Sequence, residues 1–334
     1  MTVTIKDIAK IAKVSHTTVS RALNDSPLIN QETKERIKAL AKELNYTPNY
    51  NAKSLVLDKS YNIGLFFSTI NEGTSATFLA EVIREANRVI RDSYNLVIRG
   101  IDDYKDFSSI NKKKFDGILL LSQSAADNSF IYNVLDKEIP LIVLNREVKD
   151  PRVINILADD KKGAYTAGKH LLQQGHRKIA MIEGKQGFKS TELRRLGFLQ
   201  ALAEGNLIVS DQYIADGNYD LEGGYSSMRG IMANRHKPTA VFCFNDEMAL
   251  GAIKAIKESG LKIPEDISVV GFDDSHFSAF LSPAITTVRR PIDKVTREGA
   301  NKLMQLIQGD IQMKSETIYF DTKFIYREST GQNI

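Results

Sequence analysis

The stretch that decides the fold is residues 5–24, Ile5-Lys6-Asp7-Ile8-Ala9-Lys10-Ile11-Ala12-Lys13-Val14-Ser15-His16-Thr17-Thr18-Val19-Ser20-Arg21-Ala22-Leu23-Asn24. Its apolar residues recur at helical spacing and predict two short helices, each with one apolar face turned inward. The pattern is interrupted at Val14-Ser15, and Ser15 is a good N-cap for the second helix. The outward side chains of that second helix are His16, Thr17, Ser20 and Arg21. Short hydrogen-bonding groups and an arginine can reach base edges in a major groove, so the pattern predicts a helix-turn-helix.

A third helix is predicted over residues 31–44, with Asn30 as its N-cap and an inward apolar stripe. Many helical hairpins share this period, so the third helix makes the pattern more specific. The order of parts resembles the LacI/GalR family of repressors, which opens with (V/I)-T-(I/L)-x-D-(I/V)-A-x-x-A-x-V-S-x-x-T-V-S-R-x-(L/I)-N. This chain matches that opening in register from Val3 to Asn24, and it carries the family's L-N-Y-x-P-N at residues 44–49.

The resemblance implies a homodimer that binds a palindromic DNA operator. His16, Thr17 and Arg21 match family positions that contact bases. The other matching positions on the three helices are expected to contact DNA as well, several of them through phosphates. These are Thr4, Ser15, Thr18, Ser20, Asn24 and Asn30.

Residues 50–58 resemble the family's hinge helix, with the pattern N-x-x-A-(R/K)-x-L at Asn49, Ala52, Lys53 and Leu55. In the family this helix forms when two subunits meet on DNA, and its leucine wedges into the minor groove. Leu55 matches the wedge position, and Lys53 stands where arginine is commoner. A plain tether is the alternative interpretation of this segment.

The net positive charge of the chain lies in its first 59 residues. They hold ten Lys and Arg against six Asp and Glu, whereas the remaining 275 residues hold 35 of each. A basic N-terminal segment suits contacts with phosphates. The single cysteine, Cys243, lies in an apolar run and is expected to be a small buried residue. With no secretory signal or apolar run of transmembrane length in the sequence, we expect a cytoplasmic protein that does not enter a membrane.

From residue 62 onward, buried apolar runs alternate with amphipathic helices, which is typical of parallel α/β sheets. This series occurs twice, and it matches the periplasmic-binding-protein-like core of the LacI/GalR family, with two doubly wound subdomains. The expected domains are a helix-turn-helix headpiece at 1–60 and an effector-binding core at 61–334. The core is expected to consist of an N-subdomain at 61–160 and 291–318 and a C-subdomain at 161–290 and 319–329.

Ligands of such sheets bind at the carboxyl ends of the strands, in the cleft between lobes. Arg194 lies in the family's S-x-x-x-R-x-x-G-(F/Y/W) pattern, whose arginine binds ligand oxygens in the cleft. The alternative interpretation of Arg194 is an exposed arginine on the surface of a helix. Asn245 and Asp246 follow a strand and could bind ligand, cap the next helix, or do both. Asp273 matches the first Asp of the family's G-(F/Y)-D-D, which accepts sugar hydroxyls.

Weaker signals come from polar residues just past other predicted strands, namely Ser68, Thr69, Gln123 and Arg146, and from Lys189 before the Arg194 helix. Arg146, Lys189 and Arg194 together predict a cationic cleft. Such a cleft would favour an acidic sugar, because charge-assisted hydrogen bonds to a carboxylate are strong. Short phrases such as Gly100-Ile101-Asp102-Asp103 are similar to the ketodeoxygluconate repressors of pectin-using Gram-positive bacteria. That likeness makes 2-keto-3-deoxygluconate a candidate effector.

The sequence therefore predicts a dimeric transcriptional regulator, a repressor of carbohydrate catabolism genes that responds to a small sugar or sugar acid, with no metal or cofactor. A soluble sugar-binding transport protein is disfavoured by the basic headpiece, and a sugar-modifying enzyme by the lack of a catalytic pattern. A regulator of the same family that uses a phosphoprotein co-repressor stays open as an alternative.

Overall fold

A computed structural model describes residues 3–23, 25–44, 46, 59–71, 73–312 and 314–333. The chain divides into two compact units, Met1–Ser60 and Tyr61–Ile334. None of the helices among the described residues is long and apolar enough to cross a membrane.

The first unit is a three-helix bundle. Ile8, Val19, Ala22 and Ile37 are fully buried at its centre, at the positions that the helical period predicts. The second and third helices begin at Ser15 and Asn30, the caps that the sequence predicts. Its helices are α1 (Ile5–Ala12), α2 (His16–Leu23) and α3 (Gln31–Glu43).

The second unit contains two six-stranded sheets, each with helices packed against it. The first lobe is built on the sheet with strand order β11-β5-β4-β3-β1-β2, and the second lobe on the sheet with order β12-β10-β9-β8-β6-β7. Neighbouring strands are parallel except β10 and β12. Strands of the first lobe are β1 (Asn62–Phe67), β2 (Asn95–Gly100), β3 (Gly117–Leu121), β4 (Leu141–Leu144), β5 (Ile154–Ala158) and β11 (Glu316–Phe320). Strands of the second lobe are β6 (Ile179–Glu183), β7 (Ile214–Asp216), β8 (Ala240–Cys243), β9 (Ser268–Asp273), β10 (Thr286–Arg289) and β12 (Lys323–Ile325).

Apolar side chains pack on both faces of each sheet, so its central strands are buried. Helices of the first lobe are α4 (Ala76–Ile90), α5 (Asn128–Asp136) and α10 (Ile292–Gln308). Helices of the second lobe are α6 (Asp160–Gln173), α7 (Lys189–Glu204), α8 (Leu221–Met232) and α9 (Asp246–Glu258). The fold class expected from the sequence is thereby confirmed.

The chain passes between the two lobes three times, after β5, after β10 and after β11. The last strand of the first lobe, β11, pairs with β5 up to Phe320, two residues past the expected boundary at 318. Strands β5, β7 and β10 are missing from the sequence-based prediction. Because all three crossings lie beside the cleft between the lobes, residues at the strand ends of both sheets meet there.

Candidate DNA-contact face and effector cleft

The second helix of the first unit exposes the side chains that the sequence assigns to base reading. His16, Thr17 and Arg21 are exposed on α2, whereas Val19 and Ala22 face the core. Ser20 is half-buried. The helix therefore presents a polar face with one cation at its outer side, which suits a major groove.

Three of the expected DNA contacts are also helix caps. Asp7 Oδ2 accepts hydrogen bonds from Thr4 N and Thr4 Oγ1 at the start of α1. Ser15 Oγ accepts from Thr18 N at 3.0 Å, and Asn30 Oδ1 accepts from Thr33 N at 2.8 Å. Each of the three helices thus begins at a polar residue, and the free N–H groups of helix N-termini suit phosphate. Asn24, Asn49, Ala52, Lys53 and Leu55 lie outside the described residues, so their roles stay predictions.

The cleft of the second unit lies at the carboxyl ends of both sheets. Both lobes and the crossing after β10 contribute polar and aromatic side chains to its wall. A second cavity adjoins it and shares Phe78 and Arg290. The lining residues of the main cleft are Gly73, Thr74, Ser75, Phe78, Gln123, Ser190, Arg194, Tyr219, Asn245, Asp273 and Arg290.

Arg194 is the buried centre of this cleft, with 2 % of its surface exposed. Its Nη2 lies 3.1 Å from Asp273 Oδ1 and 3.4 Å from Asp160 Oδ1, and Nη1 donates to Phe244 O. The guanidinium stacks 3.8 Å from the centre of the Phe272 ring, a cation–π contact. Burial lowers the pKa of Arg194, but Asp160 and Asp273 outweigh it and raise the pKa above its ordinary value.

A second arginine, Arg290, enters the cleft directly after β10. Its Nη2 donates to Asn145 Oδ1 at 3.0 Å and to Asp160 Oδ2 at 3.1 Å, so that Asp160 is shared by Arg194 and Arg290. Sequence reasoning missed both Asp160 and Arg290, because the strands that precede them, β5 and β10, are missing from the sequence-based prediction. The two arginines and the two aspartates, Asp160 and Asp273, cancel in formal charge.

The structure does not bring the three expected cations together. Arg146 donates from Nε to Ser122 Oγ at 2.9 Å and from Nη2 to Asn128 Oδ1 at 2.7 Å, inside the first lobe. Lys189 Nζ bonds Glu192 on its own helix at 2.8 Å. Of the three, only Arg194 lines the cleft, and the second cation there is Arg290.

Asp246 also turns away from the cleft. Its Oδ2 accepts hydrogen bonds from Ser275 N and Ser278 Oγ, each at 2.7 Å, and its Oδ1 accepts from Thr287 Oγ1 at 2.6 Å. Burial raises the pKa of this fully buried carboxyl to about 7, against the hydrogen bond from Thr287. Asp246 therefore fixes the loop after β9 and is not a residue of the cleft wall.

The same alternation occurs after three strands. Asn145, Asn245 and Asp273 line the cleft or its adjoining cavity. The residue that follows each of them turns into the lobe. Asp274, for example, accepts a hydrogen bond from Arg289 Nε at 2.6 Å.

Of the weaker candidates, Gln123 lines the cleft and donates from Nε2 to Thr74 Oγ1 at 3.1 Å. Ser68 Oγ donates to Asp127 at 2.6 Å and accepts from Gln123 N at 2.7 Å, so it supports the Gln123 loop from behind. Thr69 is buried, and its carbonyl accepts from Thr74 Oγ1. Neither Ser68 nor Thr69 is part of the cleft wall.

A three-helix unit with an exposed polar second helix, joined in sequence to a two-lobed core with a polar cleft, defines the class of ligand-binding regulatory proteins. Residues 4–49 match the family described as bacterial regulatory proteins, lacI family, and residues 169–330 match a periplasmic binding protein-like domain. The chain belongs to the lacI family of bacterial regulatory proteins.

Relatives and solved structures agree over almost the full length. The chain is 50 % identical over 327 residues to the probable HTH-type transcriptional repressor ExuR of Bacillus subtilis, covering 98 % of each protein. It is 33 % identical to the repressor PurR of Klebsiella pneumoniae, covering 98 % of this chain and 97 % of that protein. The lac repressor dimer bound to operator and the anti-inducer ONPF superposes with a TM-score of 0.79 at 25 % identity, covering 99 % of this chain and all of the other. A complex of the transcriptional regulator CelR with cellobiose gives 0.72 at 27 %, covering 98 % and 99 %.

Proposed function

We propose that the protein is a transcriptional repressor of carbohydrate catabolism genes that binds a palindromic operator as a homodimer and responds to a small sugar or sugar acid in its cleft. A repressor that reads an operator works in the cytoplasm, as a regulator and not as an enzyme. The observation that carries the effector site is the buried Arg194–Asp273 pair in the cleft wall, because it offers a charged donor and a charged acceptor to a polyhydroxy ligand.

Unpaired donors in the walls of the cleft and of its adjoining cavity support a ligand rich in acceptor oxygens. Arg194 Nε and Asn145 Nδ2 are buried without a hydrogen-bond partner among the described residues. Arg290 Nε lies 3.1 Å from Asp160 Oδ1 but does not form a hydrogen bond with it. An unpaired buried donor costs free energy that a ligand oxygen can recover. Hydroxyl oxygens and carboxylates both supply such acceptors.

The repressor role is supported by the exposed polar face of α2 and by relatives that are named repressors. The dimer is supported by the similarity to the lac repressor, whose structure is that of a dimer bound to operator.

The test is a panel of neutral hexoses, hexuronates and 2-keto-3-deoxygluconate, read first by thermal shift and then by operator affinity at fixed salt, because the phosphate contribution varies with salt. We expect one sugar or sugar acid to raise the melting temperature and to change operator affinity. The change should be lost in Arg194→Gln, which removes the cationic grip. If operator affinity responds only to a phosphorylated protein, the sugar-effector assignment is wrong and the alternative within the family holds.

A further inference from the structure

Glu247 lies in the first turn of α9 in the second lobe, but its carboxylate is bound to the first lobe. Oε1 accepts hydrogen bonds from Ser75 Oγ at 2.9 Å, from Thr77 Oγ1 at 2.6 Å and from Thr77 N at 3.3 Å. Ser75 is the N-cap of α4, and Thr77 is in the first turn of that helix. A side chain of one lobe therefore completes the N-terminus of a helix in the other.

The N-terminus of α4 is a favourable place for this carboxylate. The first N–H groups of a helix have no partner inside the helix, and of these Ser75 Oγ accepts a hydrogen bond only from Phe78 N. Glu247 takes the N–H of Thr77, and its negative charge interacts well with the positive end of the helix dipole. Its own helix does not need it as a cap, because Asn245 Oδ1 accepts from Met248 N at 2.8 Å.

The contact exists only while the two lobes are together. A second hydrogen bond crosses the cleft from Lys189 N, at the start of α7, to Gln123 O at 2.7 Å. A contact made in only one of two arrangements shifts the population toward that arrangement. Ser75 lines the cleft, but Thr77 and Glu247 do not, so the bonds between Thr77 and Glu247 lie outside the groups that would touch an effector.

We propose that Glu247 is a positioning residue, which keeps the cleft closed by capping α4 across the two lobes. Closure is then favoured by a bond between the lobes as well as by the bound effector. This inference goes beyond the proposed function, and its test needs no effector.

The experiment is amide-resolved hydrogen exchange of the full chain without effector, comparing the wild type with Glu247→Ala. The amides of Thr77 and Phe78 report the local cap, and the amide of Lys189 reports closure at a different bond. We expect all three to exchange about tenfold faster in the variant, a factor that corresponds to about 1.4 kcal/mol. The amide of Phe242, in the central strand β8, should keep its rate.

The matched control is Glu222→Ala. Glu222 is an exposed acidic residue in the first turn of α8 and forms no hydrogen bond with the first lobe among the described residues, so all four rates should stay unchanged. If Glu247→Ala does not fold, Thr77→Val removes the partner hydroxyl and should accelerate Lys189 in the same way. An unchanged Lys189 amide would show that Glu247 is only a local cap and would overturn the proposal. An equal rise at Phe242 would overturn it too, because it would indicate a general loss of stability.

Discussion

Arg194 and Asp273 form a buried ion pair in the wall of the cleft, with Nη2 of the arginine 3.1 Å from Oδ1 of the aspartate. Arg194 comes from the middle of α7, and Asp273 ends β9 with a positive φ of 101°. A non-glycine residue at positive φ is strained and is held there by its surroundings. Burial raises the pKa of Asp273, against the charges of Arg194 and Arg290.

Removing only the arginine should be costlier than removing the pair. Arg194→Gln leaves the Asp273 carboxylate without its cation, and breaking a buried pair costs about 3–5 kcal/mol. The double variant Arg194→Gln/Asp273→Asn carries no such unpaired charge at this position, so it should be more stable than Arg194→Gln. Urea unfolding gives the three free energies of unfolding. A double variant that is less stable than Arg194→Gln would contradict this account of the pair.

Arg290 and Arg146 provide a matched comparison for effector binding. Arg290→Gln removes a guanidinium that lines the cleft, whereas Arg146→Gln changes an arginine bonded within the first lobe. We expect Arg290→Gln to weaken binding of the active sugar or sugar acid by about tenfold or more, since a hydrogen bond to a charged group contributes about 1.5–3 kcal/mol. Arg146→Gln should bind as the wild type does. Titration calorimetry measures both, and equal losses in the two variants would argue against a role of Arg290 in the site.

Asp246 should make stability depend on pH. Its pKa is about 7 in the folded chain against an ordinary value of 3.8, so between these values the folded chain holds a proton that the unfolded chain has released. The free energy of unfolding therefore falls as pH rises through this window, by up to about 4 kcal/mol.

The comparison for Asp246 is the uncharged Asp246→Asn, whose free energy of unfolding should fall less between pH 5 and pH 8. Burial lowers the pKa of His170 to about 4, and it lowers the pKa of His176 as well. Both histidines are present in both proteins, so their contributions cancel in the difference. Urea unfolding at four pH values gives that difference. Parallel pH profiles for the two proteins would show that the pKa of Asp246 is not raised in the folded chain.

The exposed face of α2 should separate base reading from phosphate contact. His16→Ala plus Thr17→Ala should change the preferred operator in a binding selection, because each base contact contributes about 1–3 kcal/mol at one position. Asn30→Ala should weaken all operators alike and should also lower stability by about 1 kcal/mol, since Asn30 caps α3. An unchanged operator preference in the His16/Thr17 variant would remove α2 from the base-reading role.

The apolar pattern was enough to predict the helices of the first unit and the central strands of both sheets. The apolar pattern does not predict β10, because polar side chains are buried there. Thr286 and Thr287 are fully buried on β10, and Thr287 bonds Asp246, so this strand has no apolar run and the arginine that follows it was not foreseen. The short edge strand β7 is only half-buried and gives little signal.

The sequence places the site residues in the loops that follow the strands, but it does not always identify which residue of a loop faces the cleft. Arg146 and Asp246 follow strands that end at the cleft, yet the residue before each of them faces it. Sequence spacing does not reveal which of two consecutive side chains enters a cavity, because a positive φ, as at Asn145, changes the direction of the next one.

The three passages of the chain between the lobes have a consequence for synthesis on the ribosome. The helix-turn-helix unit is complete once residue 60 has emerged, whereas both sheets wait for residues 316–325. N-terminal domains fold first during translation, so the DNA-reading helices form before the part of the chain that would control them. A prematurely terminated chain that lacks β11 and β12 keeps its helix-turn-helix unit. In such a chain β5 and β10 become open sheet edges, which are templates for aggregation.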